Sequence, residues 1–100
     1  MRGPATAAAL GVAFLACGCG GGETLAHHQR YLWTQKCAPC HALAAGADSP
    51  DRRAPNLAEL RPSARAVRNA VVHGRPGMPR RLLRGRDVYQ IATFVARETR

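Results

Sequence analysis

Two cysteines and a histidine stand close together near the middle of the chain, in the order Cys37-Ala38-Pro39-Cys40-His41. Thiols and imidazoles serve as nucleophiles, redox groups and metal ligands, so this short segment is a natural place to look for chemistry. Two thiols at this spacing can form thioether bonds to the two vinyl groups on one edge of a porphyrin, and the adjacent imidazole then falls under the iron. The C-x-x-C-H spacing therefore predicts one covalent haem c on Cys37 and Cys40, with His41 as proximal ligand.

The same residues are compatible with three other kinds of site. A Cys-x-Pro-Cys pair is typical of thioredoxin-like redox proteins, but there it follows a buried strand, whereas residues 23–36 have the pattern of a helix. A zinc site needs further ligands at suitable spacing, and His73 is the only other His or Cys downstream. A purely structural thiol pair leaves His41 without a role. Haem attachment is the preferred interpretation, and thioredoxin-like chemistry is its main alternative.

The sequence after this motif resembles that of the class I cytochrome c family. Ala54-Pro55-Asn56-Leu57 is similar to the Pro-Asn-Leu segment of the family, in which the Pro carbonyl accepts a hydrogen bond from the proximal His. The resemblance implies that Pro55 orients His41 and raises its basicity, and that Leu57 contacts the porphyrin. Taken without the motif, the same segment is a Pro-containing turn before a helix.

A loop rich in Gly and Pro carries the only methionine after Met1. His73-Gly74-Arg75-Pro76-Gly77-Met78-Pro79 is similar to the family loop that presents a Met-Pro pair to the sixth coordination position of the iron. The resemblance implies that Met78 is the distal ligand, so that His41 and Met78 together bind the metal. A lone Met usually packs in a core, and His73 is the competing ligand.

Three helical segments are expected to position these groups, in an all-α small cytochrome c fold packed around the haem. The first is the segment 23–36 that precedes the cysteines. Ser63 can cap a second helix that runs to about His73 and ends at Gly74. The third covers residues 85–99 and places one apolar face on its inner side, made of Val88, Ile91, Ala92 and Val95.

In the family, the first and last helices cross with an aromatic contact, which implies that Trp33 and Phe94 are core aromatics. Two positions depart from the family pattern. Gln29 stands where the first helix normally has a small residue, which predicts a wider crossing. Arg84 and Gly85 stand where the last helix normally begins with a capping Ser or Thr, and Gly85 is a poor substitute.

The first part of the chain is expected to be an export signal. Residues 1–17 join a basic start to an apolar run of roughly half the ~20 residues that cross a bilayer. Small residues before Cys17 and Cys19 resemble a bacterial lipoprotein signal, in which the Cys carries lipid; the alternative is an ordinary cleaved signal. Residues 18–23 are predicted to be a flexible Gly-rich tether, and 24–100 the cytochrome c domain, exported to the periplasm and anchored to a bacterial membrane if lipidated.

Charge gives an indication of the partner. The chain has a formal net charge of +9, which becomes +8 when a signal containing Arg2 is removed. No acidic residue lies between positions 61 and 86, whereas this stretch contains Arg61, Arg65, Arg68, Arg75, Arg80, Arg81, Arg84 and Arg86. These arginines predict a basic face for redox partner proteins with acidic docking surfaces, unless they only keep the protein in solution.

Other partners of a basic protein fit less well. Anionic lipid is a second candidate, because a tethered basic domain would lie against the membrane. Nucleic acid is not expected, since no stacking aromatics are interleaved with the arginines and an exported chain has little access to it.

A haem iron with two protein ligands has no open position for a substrate, so the chain is predicted to be an electron carrier or the cytochrome subunit of an oxidoreductase complex, and not an enzyme itself. The alternative is a haem-based gas sensor or enzyme in which Met78 dissociates from the iron.

Overall fold

The structure is a computed structural model that describes residues 20–100, and this part of the chain contains four α-helices and one π-helical turn. Helix α1 spans Gly20–Leu32, α2 spans Leu57–Leu60, α3 spans Ala64–His73 and α4 spans Arg86–Glu98. Residues 20–100 contain no β-strand, only an isolated bridge between Arg75 and Met78. The all-α class expected from the sequence is thus confirmed.

Residues 1–19, with the expected signal and both candidate lipid-bearing cysteines, lie outside the described part of the chain. Helix α1 begins at Gly20, so residues 20–22 continue the helix where the composition predicts a tether over 18–23. Each residue added to a nucleated helix gains one backbone hydrogen bond, which offsets part of the cost of glycine. Between residues 20 and 100, no helix is both long and apolar enough to cross a membrane.

Helix α1 ends at Leu32 and continues directly into one π-helical turn, Trp33–Cys37. The Ala38 amide donates to the carbonyl of Trp33 at 2.9 Å, five residues back. This π-helical turn connects α1 directly to the Cys-x-x-Cys segment. Cys37 is its last residue, and Cys40 follows in a turn that is hydrogen-bonded to Cys37.

The core lies where α3 packs on α4 and α1 crosses α4. All four residues of the predicted α4 face, from Val88 to Val95, are buried, and Ile91 is fully so. Phe94 is buried as well, and its ring lies 6.2 Å from that of half-buried Trp33, centroid to centroid. The aromatic contact implied by the family resemblance is present.

The ends of α3 follow the sequence prediction. The Ser63 hydroxyl accepts a hydrogen bond from the Ala66 amide at 3.0 Å, and Gly74 ends the helix with a φ of 76°. Helix α4 begins after Gly85 without a side-chain cap, also as predicted.

Gln29 is buried at the crossing of α1 and α4, with 2% of its surface exposed. Its amide donates to Gln90 Oε1 at 3.0 Å, and its oxygen accepts from the Arg97 guanidinium at 3.0 Å. Both polar atoms of the side chain are therefore satisfied by α4, as a buried amide requires.

Candidate functional site

The cysteine pair lies at the end of the π-helical turn, with one thiol inside the protein and one outside. Cys37 is buried and packs in the core, whereas Cys40 is exposed, and the two are not joined in a disulfide. Burial raises the pKa of the Cys37 thiol to about 12, and the neighbouring Cys40 contributes to the same rise. The amides of Cys40 and His41 both donate to the Cys37 carbonyl, at 3.0 and 2.9 Å. This tight turn brings both thiols and the imidazole to one place.

One nitrogen of the His41 ring is fixed by the backbone of Pro55. His41 Nδ1 lies 2.8 Å from the Pro55 carbonyl oxygen. A carbonyl can only accept, so Nδ1 carries the proton, and Nε2 of a neutral ring keeps its lone pair. The ring is thus oriented and held in the tautomer that binds a metal through Nε2.

The loop between His41 and Leu57 is closed by side chains, not by regular secondary structure. Asn56 donates to the carbonyls of Ala44 and Ala47, at 2.8 and 2.9 Å, and its Oδ1 caps α2 through the Ala58 amide. Directly after Asn56, the Leu57 amide donates to the Ala42 carbonyl at 3.0 Å. Asn56 therefore fixes the segment that holds Pro55 against His41.

Met78 lies in a tight turn that returns to the end of α3. The Met78 amide donates to the Arg75 carbonyl at 2.7 Å, and the Arg75 amide donates to the Met78 carbonyl at 3.0 Å. Pro76 followed by Gly77, with a φ of 83°, is the sequence of a type II turn. The Arg81 amide then donates to the Val72 carbonyl on α3, at 3.1 Å. These bonds fix the backbone that carries the thioether.

Gly74 is required where this turn meets α3. A Cβ at this position would lie 2.8 Å from the Met78 carbonyl oxygen, closer than real Cβ atoms approach, and 3.0 Å from the Arg80 nitrogen, tighter than most real Cβ contacts. The small residue therefore sets the position of the Met78 backbone. His73, the competing ligand, is exposed at the last position of α3.

Three of the predicted site residues, Cys37, Leu57 and Met78, lie at one apolar surface, whereas Cys40 and Pro55 are exposed. Cys37 belongs to the buried core, and several half-buried apolar side chains pack against that core: Leu43, Leu57, Val67, Met78 and Leu82. A half-covered apolar surface that includes one thiol and the thioether, with the second thiol and the oriented imidazole in the turn that follows Cys37, has the chemistry that haem c needs. The donor set and its surroundings fit this cofactor.

The alternatives to haem find less support in the same region. Within residues 20–100, no group of three or more His, Cys, Asp or Glu side chains is placed to hold a metal ion, which leaves the zinc interpretation without ligands there. The buried strand that would precede a thioredoxin-like pair is replaced by α1 and the π-helical turn.

An all-α domain with C-x-x-C-H at the end of its first helix is a c-type cytochrome domain, a class that implies covalently bound haem c and haem-based electron transfer. In agreement, the sequence model of the family "Cytochrome C oxidase, cbb3-type, subunit III" matches residues 24–95, so the chain belongs to this family. Comparison with curated proteins and with solved structures gives no match.

Sequence reasoning missed the roles of Asn56 and Gln29. The Pro-Asn-Leu resemblance gives Asn56 no role of its own, although an Asn directly before a short helical stretch is a recognisable N-cap. The partners of Gln29 lie 61 and 68 residues away, and no sequence pattern signals them.

Proposed function

We propose that this chain carries a single haem c, bonded to Cys37 and Cys40 and ligated by His41 and Met78. It passes single electrons in the periplasm, as a carrier or as the cytochrome subunit of a respiratory or other oxidoreductase complex. The observation that carries the proposal is the hydrogen bond from His41 Nδ1 to the Pro55 carbonyl, because it leaves Nε2 free as a ligand beside the two thiols.

A haem c bound here supplies a one-electron couple at its iron. The imidazole of His41 and the soft thioether of Met78 favour the reduced state relative to two imidazoles, and so raise the reduction potential. If His41 and Met78 both held the iron, they would leave no ligand position for a substrate, which supports a carrier over an enzyme.

The geometry of the methionine turn also argues for the carrier over the gas sensor. Two reciprocal hydrogen bonds between Arg75 and Met78 close the turn, and further bonds attach it to α3. Because the backbone that carries the thioether is fixed, Met78 stays near one position, which supports a permanent ligand over one that leaves the iron. Leu57 is half-buried at the same apolar surface as Met78, and we propose that it contacts the porphyrin.

Spectroscopy of the matured protein tests this proposal. The chain is expressed with haem-maturation machinery, and its mass should rise by one haem, with an alkaline pyridine spectrum of the c type. The oxidised protein should show the near-infrared charge-transfer band of methionine-ligated iron. Met78→Ala should abolish this band and open the iron to carbon monoxide, whereas His73→Ala, the matched control, should leave it unchanged. A colourless protein with two titratable thiols, or a band that persists in Met78→Ala, would contradict the assignment.

The periplasmic location and the lipid anchor rest on the sequence of residues 1–19. We expect Cys17 or Cys19 to become the lipid-bearing first residue of the mature chain. Labelling with a radioactive fatty acid in the bacterial cell, followed by intact mass, tests this in Cys17→Ala and Cys19→Ala. One of the two variants should lose the label, and labelling that survives both changes, or is absent from the parent, rejects the anchor.

The redox partner is proposed to present an acidic surface to the arginines between positions 61 and 86. Among the described residues, these arginines form no ion pair with a carboxylate. Their charge is therefore available to steer a negatively charged partner, and the rate of electron transfer should fall as salt is added.

A further inference from the structure

A shallow groove lies between the end of α3 and the start of α4, on the side of the chain that follows the methionine turn. It has a volume of about 290 Å³ and is lined by Val72, Arg81, Leu83, Arg84, Gly85 and Val88. Leu83 and Val88 are buried and form an apolar floor, and Val72 exposes 36% of its surface at the edge. We call this feature the α3–α4 groove.

The rim of the groove is basic. Arg81 and Arg84 are exposed, and in the described part of the chain neither is paired with a carboxylate. Arg81 also has an uncommon positive φ of 52°, in a backbone whose amide is bonded to the Val72 carbonyl at 3.1 Å. The bonded backbone fixes where the Arg81 side chain leaves the main chain at the rim of the groove.

A stacked pair extends the groove by one helical turn. The Arg68 guanidinium lies over the Tyr89 ring, 5.1 Å from its centroid, while 61% of Tyr89 remains exposed. Arg68 precedes Val72 by four residues on α3, and Tyr89 follows Gly85 by four, so the pair adjoins the groove. Tyr and Arg beside an apolar pocket are the residue types that dominate the binding energy of protein interfaces.

From these features we propose that the α3–α4 groove docks an acidic segment of the redox partner, with one apolar side chain on the floor and flanking carboxylates on Arg81 and Arg84. The proposal rests on the proposed function for the identity of the partner. Guanidinium groups bind carboxylates through paired hydrogen bonds, and the concave apolar floor adds a contact that a flat anionic membrane surface would not use. The docked partner would lie next to the turn that carries Met78.

The test uses the ferrous holoprotein and a synthetic probe, a short capped peptide in which glutamates flank a single leucine. Backbone amide shifts are followed by NMR as the peptide is added. The proposal expects shifts confined to residues 72 and 81–89, and roughly tenfold weaker binding for Val72→Ser or Arg84→Gln, the loss typical of an interface anchor. Arg30→Gln is the matched control, because it removes the same charge from an exposed position of α1, outside both the groove and the arginine-rich stretch 61–86.

Three results would overturn the proposal. The first is equal weakening by Arg30→Gln and Arg84→Gln, which indicates diffuse charge attraction. The second is undiminished binding of a peptide with serine in place of leucine, which removes any role for the floor. The third combines two observations: the peptide causes no localised shifts, and the protein binds vesicles containing phosphatidylglycerol equally well with and without Val72→Ser. That result assigns the surface to lipid. Peptide binding tests the groove, and the methionine–iron band tests the proposed function. A missing band would therefore contradict the proposed function alone.

Discussion

The buried amide of Gln29 offers the sharpest test of how α1 is held on α4. Gln29→Ala removes two hydrogen bonds, each with a net contribution of about 0.5–1.5 kcal/mol, so the expected loss is roughly 1–3 kcal/mol of unfolding free energy. The loss should not exceed this range greatly, because Arg97 is largely exposed and Gln90 is half-buried, and both can bond to water instead.

Guanidinium denaturation of the oxidised holoprotein measures this loss. Gln35→Ala is the matched control, since it makes the same substitution at an exposed position of the π-helical turn and should change stability by about 0.5 kcal/mol or less. Gln29→Glu should lose less than Gln29→Ala, because its carboxylate still accepts from Arg97 and the Gln90 amide can rotate to donate. Equal, near-zero losses for both alanine variants would refute the reasoning that this network stabilises the crossing.

Three further predictions concern single residues of the loops and helix ends. Gly74→Ala should weaken or abolish the near-infrared methionine–iron band, because its Cβ would push on the Met78 carbonyl. In the control Gly77→Ala the Cβ meets nothing within 4 Å, so this variant should only lower the midpoint of denaturation. An intact band in Gly74→Ala would contradict the prediction. Asn56→Ala loses three hydrogen bonds and should reduce the unfolding free energy by roughly 2–4 kcal/mol, as measured by denaturant titration; a loss under about 1 kcal/mol would show that the loop closes without it. Arg61 has a positive φ of 51°, and its side chain donates to the Thr99 carbonyl. Arg61→Gly and Arg61→Ala both lose that hydrogen bond, but only glycine adopts the positive φ without strain, so Arg61→Gly should be the more stable in thermal unfolding by about 1 kcal/mol. The opposite order would exclude backbone strain at this position.

The sequence predicts well those features that depend on residues close together in the chain. Ser63 and Gly74 mark both ends of α3, because capping is a local interaction between a side chain and the next turn. The spacing of apolar residues in α4 identifies its buried face for the same reason, since helical periodicity is a property of the segment itself. The C-x-x-C-H spacing likewise specifies its chemistry within one turn.

The remaining features depend on contacts that no local pattern encodes. The π-helical turn adds one residue to a segment whose composition suits an ordinary α-helix, and its two end residues contact the core, Cys37 as a buried member and Trp33 packed against it. The family resemblance indicated that Gln29 was unusual, but its two bonds to α4 depend on the relative placement of helices far apart in sequence.

The π-helical turn has a consequence for how insertions and deletions act on this protein. Each residue of an ordinary helix rotates the following side chain by about 100°, and a wider turn absorbs one extra residue without lengthening the helix by a full step. Removing one residue among the exposed positions 34–36 would restore a regular helix, and Cys37 would keep about the same direction relative to α1, because the wide turn had absorbed that residue. Removing a second residue there would rotate Cys37 by about 100° and turn it away from the core. This segment should therefore tolerate the loss of one exposed residue and fail at the loss of two.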